Sequence, residues 1–344
     1  MKQHLNTLFV QSDGAFISCR GQTLVVRTDG EVRLRVPIHT IGSVVCMGRV
    51  NCSTPALALC AENGVAVSLC NASGRLLARV TGFTPGNVLL RRDQYRAADD
   101  EARCLAIAVP IVATKISNAR TALLRAARDH GNVSDLLRAA IVRMAESARA
   151  ALHATSLDEL RGIEGEAASD YFSVFNHLIT LPKPEGADFC ITSRSRRPPL
   201  DRMNALLSFL YAMLAADARS ACEAVGLDAA VGFLHRDRPG RPSLALDLME
   251  EIRAFLCDRL ALSLINRRQI RANGFELLEG GPVRMTDQTR RTVVVAYQKR
   301  KQEEILHPYL QERITIGLLV HIQARLLSRV IRGELETYPA FVWK

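Results

Sequence analysis

Between residues 232 and 253 the chain reads GFLHRDRPGRPSLALDLMEEIR. His235 comes first. Arg236, Arg238 and Arg241 follow in a segment whose Pro239, Gly240 and Pro242 exclude regular structure. Ser243 takes the place of a helix N-cap, and an apolar-periodic run begins behind it. Within that run Asp247 precedes Glu250 by three residues and Glu251 by four, spacings that put side chains on one helix face. Leu244, Leu248, Ile252 and Leu256 recur on the same helix, which is therefore amphipathic and partly buried. Carboxylates beside a buried stripe, next to an imidazole and three guanidinium groups, suit a divalent cation that handles phosphate. Oxygen ligands favour Mg²⁺ or Mn²⁺, and imidazole shifts the balance toward Mn²⁺. Taken singly, each of these residues is better read as a solvated acid or as a loop histidine satisfied by hydrogen bonds. Their assembly is what indicates a site, and helix geometry does not choose among Asp247, Glu250 and Glu251.

A second carboxylate stands in LRGIEGEAASDYFSVF, where Glu164 lies between Gly162 and Gly165. Glycines are unfavourable inside a helix, and Gly165 would leave room for another backbone or an ion close to Glu164. Ala168 and Tyr171 continue the Glu164 face, whereas Glu166 points elsewhere. Tyr171 and Tyr211 fit the core as buried aromatics better than they fit a site.

These residues need a scaffold to bring them together. Residues 1–90 read as a small β-sandwich-like domain with one helix, Thr54–Glu62, closed by Asn63-Gly64. Its strands are Leu5–Gln11, Phe16–Cys19, Thr23–Arg27, Val32–Val36, Ile41–Met47, Val65–Leu69 and Leu76–Val80, with a tight turn at Asp29-Gly30. It carries no clustered histidines or carboxylates, so scaffold or dimer duty is expected of it. Thr84-Pro85-Gly86-Asn87 marks its end. Residues 91–344 read as a larger all-α catalytic domain, the whole chain being α+β. Helices are expected at Asp100–His130, Ser134–Ala154, Ser156–Leu178, Asp201–Val225, Ser243–Arg267, Asp287–Leu306 and Ile316–Arg332. The Pro-rich stretch 182–199 carries Arg194, Arg196 and Arg197 and reads equally well as a solvated loop or a strand-contacting one.

The composition narrows the function. The net charge is +10, from 45 Lys+Arg against 35 Asp+Glu, which favours a polyanionic partner such as nucleic acid. The 48% hydrophobic content supports large cores, and the 5% aromatic content makes them mostly aliphatic. The nine cysteines include no CxxC pair and mostly sit in apolar runs, which suggests free thiols in a reducing compartment. No signal-peptide core or uninterrupted apolar run of membrane-spanning length is read, so a soluble cytoplasmic protein with no membrane partner is expected. Neither GxxxxGK[ST] nor GxGxxG is present, so nothing points to a nucleotide cofactor.

RGIEGEAASDYF, DRMNALLSFLY and GFLHRDRPGRPSLALDLMEEIR, in that order, resemble the CRISPR-associated adaptation endonuclease, the integrase subunit that inserts new spacers into CRISPR arrays. A β domain followed by a helical domain matches that family too, so the resemblance covers nearly the whole chain. The ending GELETYPAFVWK is similar to the form found in type I-C systems. The resemblance implies Mg²⁺ or Mn²⁺ held by Glu164, His235 and Glu250, with Asp247 adjacent or bound through water; it gives Glu251 no role. It implies attack of a 3′-hydroxyl of captured DNA on a phosphodiester of the CRISPR repeat, and a homodimer bridged by a small ferredoxin-like partner protein. Arg236, Arg238 and Arg241 are candidate DNA contacts, and Lys299-Arg300-Lys301 could track DNA or be a solvated run. The competing reading is a non-catalytic nucleic-acid-binding scaffold whose carboxylates are structural. A metal hydrolase of a small phosphoester fits the basic balance least well.

Overall fold

A computed structural model of the chain describes residues 6–71, 76–82, 87–130, 134–195 and 198–343. Leu5, the Thr84-Pro85-Gly86 boundary signal, Arg196 and Arg197 lie outside the described residues. Contacts divide the chain into two compact units, Met1–Gly86 with Val293–Gln302, and Asn87–Thr292 with Glu303–Lys344.

In the first unit, strands β1 (Asn6–Val10), β2 (Phe16–Arg20), β3 (Thr23–Thr28), β4 (Glu31–Pro37), β5 (Ile41–Met47) and β6 (Asn51–Cys52) precede helix α1 (Thr54–Glu62), β7 (Ala66–Cys70) and β8 (Leu76–Val80). Asp29 and Gly30 both take positive φ, as a two-residue hairpin turn between right-twisted strands demands, and β3 pairs antiparallel with β4. One sheet has the order β4-β3-β2-β6. The other, β1-β5-β7-β8, is mixed: β1, β5 and β7 run parallel and β8 antiparallel. The parallel β5–β7 pair needs a crossover, and α1 provides it. Ser53 caps the helix by accepting from the Ala56 amide at 3.3 Å. Ile17, Leu24, Val26, Val44, Cys46, Leu59 and Val67 belong to one core cluster drawing on both sheets and α1.

The second unit is built on helices α2 (Val88–Ala98), α3 (Glu101–His130), α4 (Asp135–Ala151), α5 (Leu157–Ser173), α6 (Arg202–Val225), α7 (Ser243–Arg253) and α8 (Arg259–Asn266). A hairpin of β9 (Phe275–Leu277) and β10 (Val283–Met285) follows. Then come α9 (Asp287–Gln302), a hairpin of β11 (Glu304–Leu306) and β12 (Arg313–Thr315), and α10 (Ile316–Ile331). The region is therefore predominantly helical and not all-α, because three-residue strands too short to show a period form two hairpins in it. The second half of α9, 293–302, belongs to the first unit.

Helix α7 departs most from expectation. Of its residues, Ser243, Leu244, Ala245, Asp247, Leu248, Met249, Glu250, Glu251 and Ile252 are all buried. It packs against α3, α6 and α10, so its acids lie among helices instead of in solvent. Ser243 does not cap it: Pro242 holds the cap position, and the Ser243 hydroxyl donates to the Arg236 carbonyl at 3.3 Å. The helix is also interrupted by a π-helical turn at 254–258 before α8.

Among the described residues, Glu101–Arg128 and Arg202–Val225 are long and apolar enough by length and composition to cross a membrane. Here α3 packs against α4, α5 and α7, and α6 against α7 and α10. Core helices of this kind are apolar because they are covered by protein.

Candidate metal centre

Four segments of the helical unit deliver the side chains. α5 carries Glu164. Ser156 starts the helix by accepting from the Glu159 amide at 3.2 Å, while the Glu159 carboxylate accepts from the Thr155 amide and hydroxyl at 2.8 Å each. α7 carries Glu250, α3 carries Lys115, and the segment between α6 and α7 carries His235.

That segment has no regular structure and is held by its backbone. Gly226 ends α6 at φ +93°, the left-handed conformation of a helix C-cap. The Gln94 side chain of α2 donates to the carbonyls of Asp228 and Val231 at 2.8 Å each and accepts from the Asp228 amide at 2.8 Å. Arg161, one turn before Glu164 on α5, donates through Nε and Nη2 to the Leu234 carbonyl at 3.0 and 2.7 Å. Asp247, fully buried, takes the amides of Phe233 (2.7 Å), Leu234 (3.1 Å) and His235 (3.1 Å), together with Nδ1 of His235 at 2.6 Å. Gly232 makes this approach possible: a Cβ there would lie 2.8 Å from Asp247 Oδ2 and 2.9 Å from the Ser243 backbone.

Asp247 is held by its neighbours, its two oxygens accepting from four protein donors. What it does is orient the imidazole. A carboxylate on Nδ1 makes that nitrogen the donor and leaves Nε2 with its lone pair for another partner.

Glu164 and Glu250 meet at one cation. The Lys115 ammonium contacts Oε1 of Glu164 and lies 2.7 Å from Oε2 of Glu250. The second Glu250 oxygen takes Nη2 of Arg253 at 2.6 Å. Burial alone would raise the Glu250 pKa, but Arg253, Lys115 and His235 outweigh it and hold the carboxyl at about 2. The pull from His235 brings the imidazole into the same electrostatic neighbourhood. Arg253 is steadied in turn by the Tyr211 ring, 4.6 Å from its guanidinium carbon. Tyr211 and Tyr171 donate to the buried Asp258 at 2.6 and 3.0 Å.

Among the described residues, no three His, Cys, Asp or Glu side chains converge closely enough to ligate an ion as placed. The Lys115 ammonium stands between the two carboxylates. The donor set still fits a hard divalent cation with one imidazole ligand: two carboxylates from different helices and a histidine whose other nitrogen is fixed. Oε2 of Glu250 is buried and lacks a hydrogen bond of good geometry, although the ammonium is near.

Gly162 and Gly165 do not serve close packing, since a Cβ at either would meet nothing within 4 Å. Arg236 is exposed and bonded to Asp158 at 2.8 Å, so it is engaged within the protein; Arg238 is exposed and Arg241 half-buried. Arg194 is no free loop cation either, since its Nη1 donates to the Ser195 carbonyl at 2.8 Å and its guanidinium carbon stands 5.3 Å from the Tyr211 ring centre. Lys301 is buried with its ammonium 5.5 Å from the Tyr297 ring centre, so 299–301 is not a uniformly solvated basic run.

Glu251 does not pair along its own helix. It accepts from the Tyr338 hydroxyl, the Phe341 amide and, at 3.1 Å, the Gln323 amide nitrogen. His307 fixes Gln323 through Nε2 at 3.0 Å, and Asn118 takes the Trp343 amide at 2.8 Å and donates to the carbonyls of Glu251 and Phe341 at 2.7 Å each. The C-terminal tail is thus strapped to α3 and α7. Sequence reasoning missed this anchor, and it missed Lys115 and Arg161. For Lys115 a signal existed, because it is the only charge in the apolar run from Cys104 to Ile116.

Fold and site together define an α+β protein, strand-rich then helical, whose helical unit turns two carboxylates toward one cationic point beside a fixed histidine. The family model described as "CRISPR associated protein Cas1" matches residues 8–299. The chain belongs to the Cas1 family. It is 50% identical over 346 residues to a CRISPR-associated endonuclease Cas1 of Chlorobaculum tepidum and 51% identical over 350 residues to one of Rhodospirillum rubrum, covering 100% of both chains in each case. Among solved structures it is similar to a Cas6-RT-Cas1–Cas2 complex at TM-score 0.83 and 26% identity, over 100% of this chain and 36% of that chain.

Proposed function

We propose that this chain is a divalent-metal-dependent DNA endonuclease and integrase of CRISPR adaptation, inserting captured fragments as new spacers. The observation that carries the reading is the meeting of Glu164 and Glu250, from separate helices, at a single cation. Glu164, Glu250 and Nε2 of His235 would hold Mg²⁺ or Mn²⁺, which when bound supplies a Lewis acid to the phosphoryl group. Asp247 keeps the imidazole in the required tautomer and aim. Arg253 holds Glu250 in place, and Arg238 and Arg241, with Arg236 once released from Asp158, contact DNA phosphates. In the reaction a 3′-hydroxyl of the captured fragment attacks a phosphodiester of the repeat; one P–O bond forms, another breaks, and a 3′-hydroxyl leaves.

The curated relatives are named endonucleases, and the structural relative at 26% identity is a complex containing Cas2; both support a nuclease with DNA and protein partners. The finer assignment is a homodimer bridged by a small ferredoxin-like partner. Residues 1–90, with two sheets around one core in the manner of a sandwich, supply the dimer contact, and residues 91–344 carry catalysis. Work in the cytoplasm keeps the nine thiols reduced.

The scaffold reading has one observation in its favour: Lys115 and Arg253 already compensate Glu250 without a metal. A strand-transfer assay separates the two. Purified protein is incubated with a short duplex and a supercoiled repeat plasmid, in Mn²⁺ and in EDTA. Metal-dependent joining that is lost in EDTA and in His235→Ala, with DNA binding intact, is the expected result. Equal joining by His235→Ala, or none by the wild type in Mn²⁺, would contradict the assignment.

A further inference from the structure

Lys115 belongs to none of the roles above, yet it sits at the centre of the site. Its side chain is 17% exposed and that of Glu250 2%, so the pair is largely removed from water. The ammonium reaches Glu164 on α5 and Glu250 on α7 from a third helix, α3. No other charge lies on α3 from Cys104 to Ile116, so the lysine is an isolated cation in an apolar stretch. The other Glu250 oxygen has its own cation in Arg253 at 2.6 Å; the oxygen facing Lys115 has no hydrogen bond of good geometry.

We propose that Lys115 is an internal counter-ion that occupies the place of a divalent cation between Glu164 and Glu250, so that a metal enters only by displacing it. The inference rests on the reading of Glu164, His235 and Glu250 as the metal-holding set. A divalent ion held by both carboxylates would need the space that the ammonium fills. The two cations exclude each other there by volume and by charge. Lysine suits such a device: its charge is compact, and its four-carbon stem lets the head leave without moving the helix. In the metal-free protein it keeps two facing carboxylates from repelling each other, so Lys115 is a positioning residue whose presence lowers metal affinity.

The test is Mn²⁺ titration of the full-length, metal-free protein by electron paramagnetic resonance, with melting measured alongside. Lys115→Met should bind Mn²⁺ at least tenfold more tightly than the wild type. Its metal-free melting temperature should fall, and saturating Mn²⁺ should restore it to the metal-bound wild-type value. Lys115→Arg, which keeps the charge, should stay near the wild type in both respects. Lys115→Gln, neutral but able to hydrogen-bond the carboxylates, gives the same reading as Lys115→Met should the apolar variant fail to fold. Affinity equal to or weaker than wild type in both neutral variants, or a melting deficit that Mn²⁺ does not recover, would overturn the proposal. Glu164→Ala separates the two levels. If it binds Mn²⁺ as the wild type does, the metal-site reading itself fails; if it loses Mn²⁺ while the Lys115 variants are unchanged, only the counter-ion proposal fails.

Discussion

Glu250 and Glu251 are successive residues of one helix, both buried, and their surroundings are opposite. Glu250 faces the cations Arg253 and Lys115, which with the pull of His235 overcome the cost of burial and keep it ionised, with a pKa of about 2. Glu251 faces a tyrosine hydroxyl, a glutamine amide and a backbone amide, all neutral, and burial outweighs them and pushes its carboxyl up to about 7. The helix turns one acid toward a charged site and the other toward the C-terminal strap. A buried carboxylate ringed by cations is ready to exchange one of them for a metal. One ringed by neutral donors is a structural tie.

The largest expected effect comes from breaking the tie. Glu251→Ala leaves the Tyr338 hydroxyl and the Phe341 amide without the acceptor they share and takes one acceptor from the Gln323 amide, and should cost about 4 kcal/mol in urea unfolding. A loss below about 0.5 kcal/mol would mean that the strap is not held there.

The next effect is pH dependence. The folded pKa of Glu251, about 7, lies above its ordinary 4.5, so folding favours the protonated acid. The stability this contributes is whole below pH 4.5 and is lost as the pH rises through 7, a difference of about 3 kcal/mol at 1.36 kcal/mol per unit. Glu251→Gln should therefore lose less stability than the wild type between pH 4.5 and 8. Parallel pH profiles for the two proteins would contradict the contrast with Glu250.

Gly232→Ala tests the charged side of the helix. The added Cβ must move Asp247 or the Ser243 backbone, at about 2 kcal/mol, and should loosen His235 with it. The imidazole signals of His235 in NMR should shift relative to the wild type; unchanged signals would show that Asp247 does not govern the ring.

Much of this architecture was legible in the sequence. Asp29-Gly30 specified a hairpin by backbone conformation alone. Asn63-Gly64 marked the end of α1, which does close at Asn63. Of the residues singled out, Glu164 and Glu250 meet at Lys115 and His235 pairs with Asp247, although helix periodicity could not tell Glu250 from Glu251. That difference arises from α3, α10 and the tail, all distant in sequence. Ser243 looked like a cap because capping signals are local, whereas its hydroxyl is used by the returning Arg236 carbonyl. α2 was missed because Arg91, Arg92 and Asp93 hide its few buried positions. Lys115 was passed over because a lone lysine in an apolar helix has no partner within hydrogen-bonding reach along the chain; both of its partners arrive from other helices.

The central claim is that the Glu250 side of the helix holds a metal and the Glu251 side does not. Melting of the wild type, Glu250→Gln and Glu251→Gln, each in EDTA and in saturating Mn²⁺, tests it most directly. A ligand that binds only the native state raises its melting temperature. Mn²⁺ should raise the melting temperature of the wild type and, by the same increment, that of Glu251→Gln from its lower start, and should leave Glu250→Gln unmoved. A full Mn²⁺ increment in Glu250→Gln, or its loss in Glu251→Gln alone, would contradict the account.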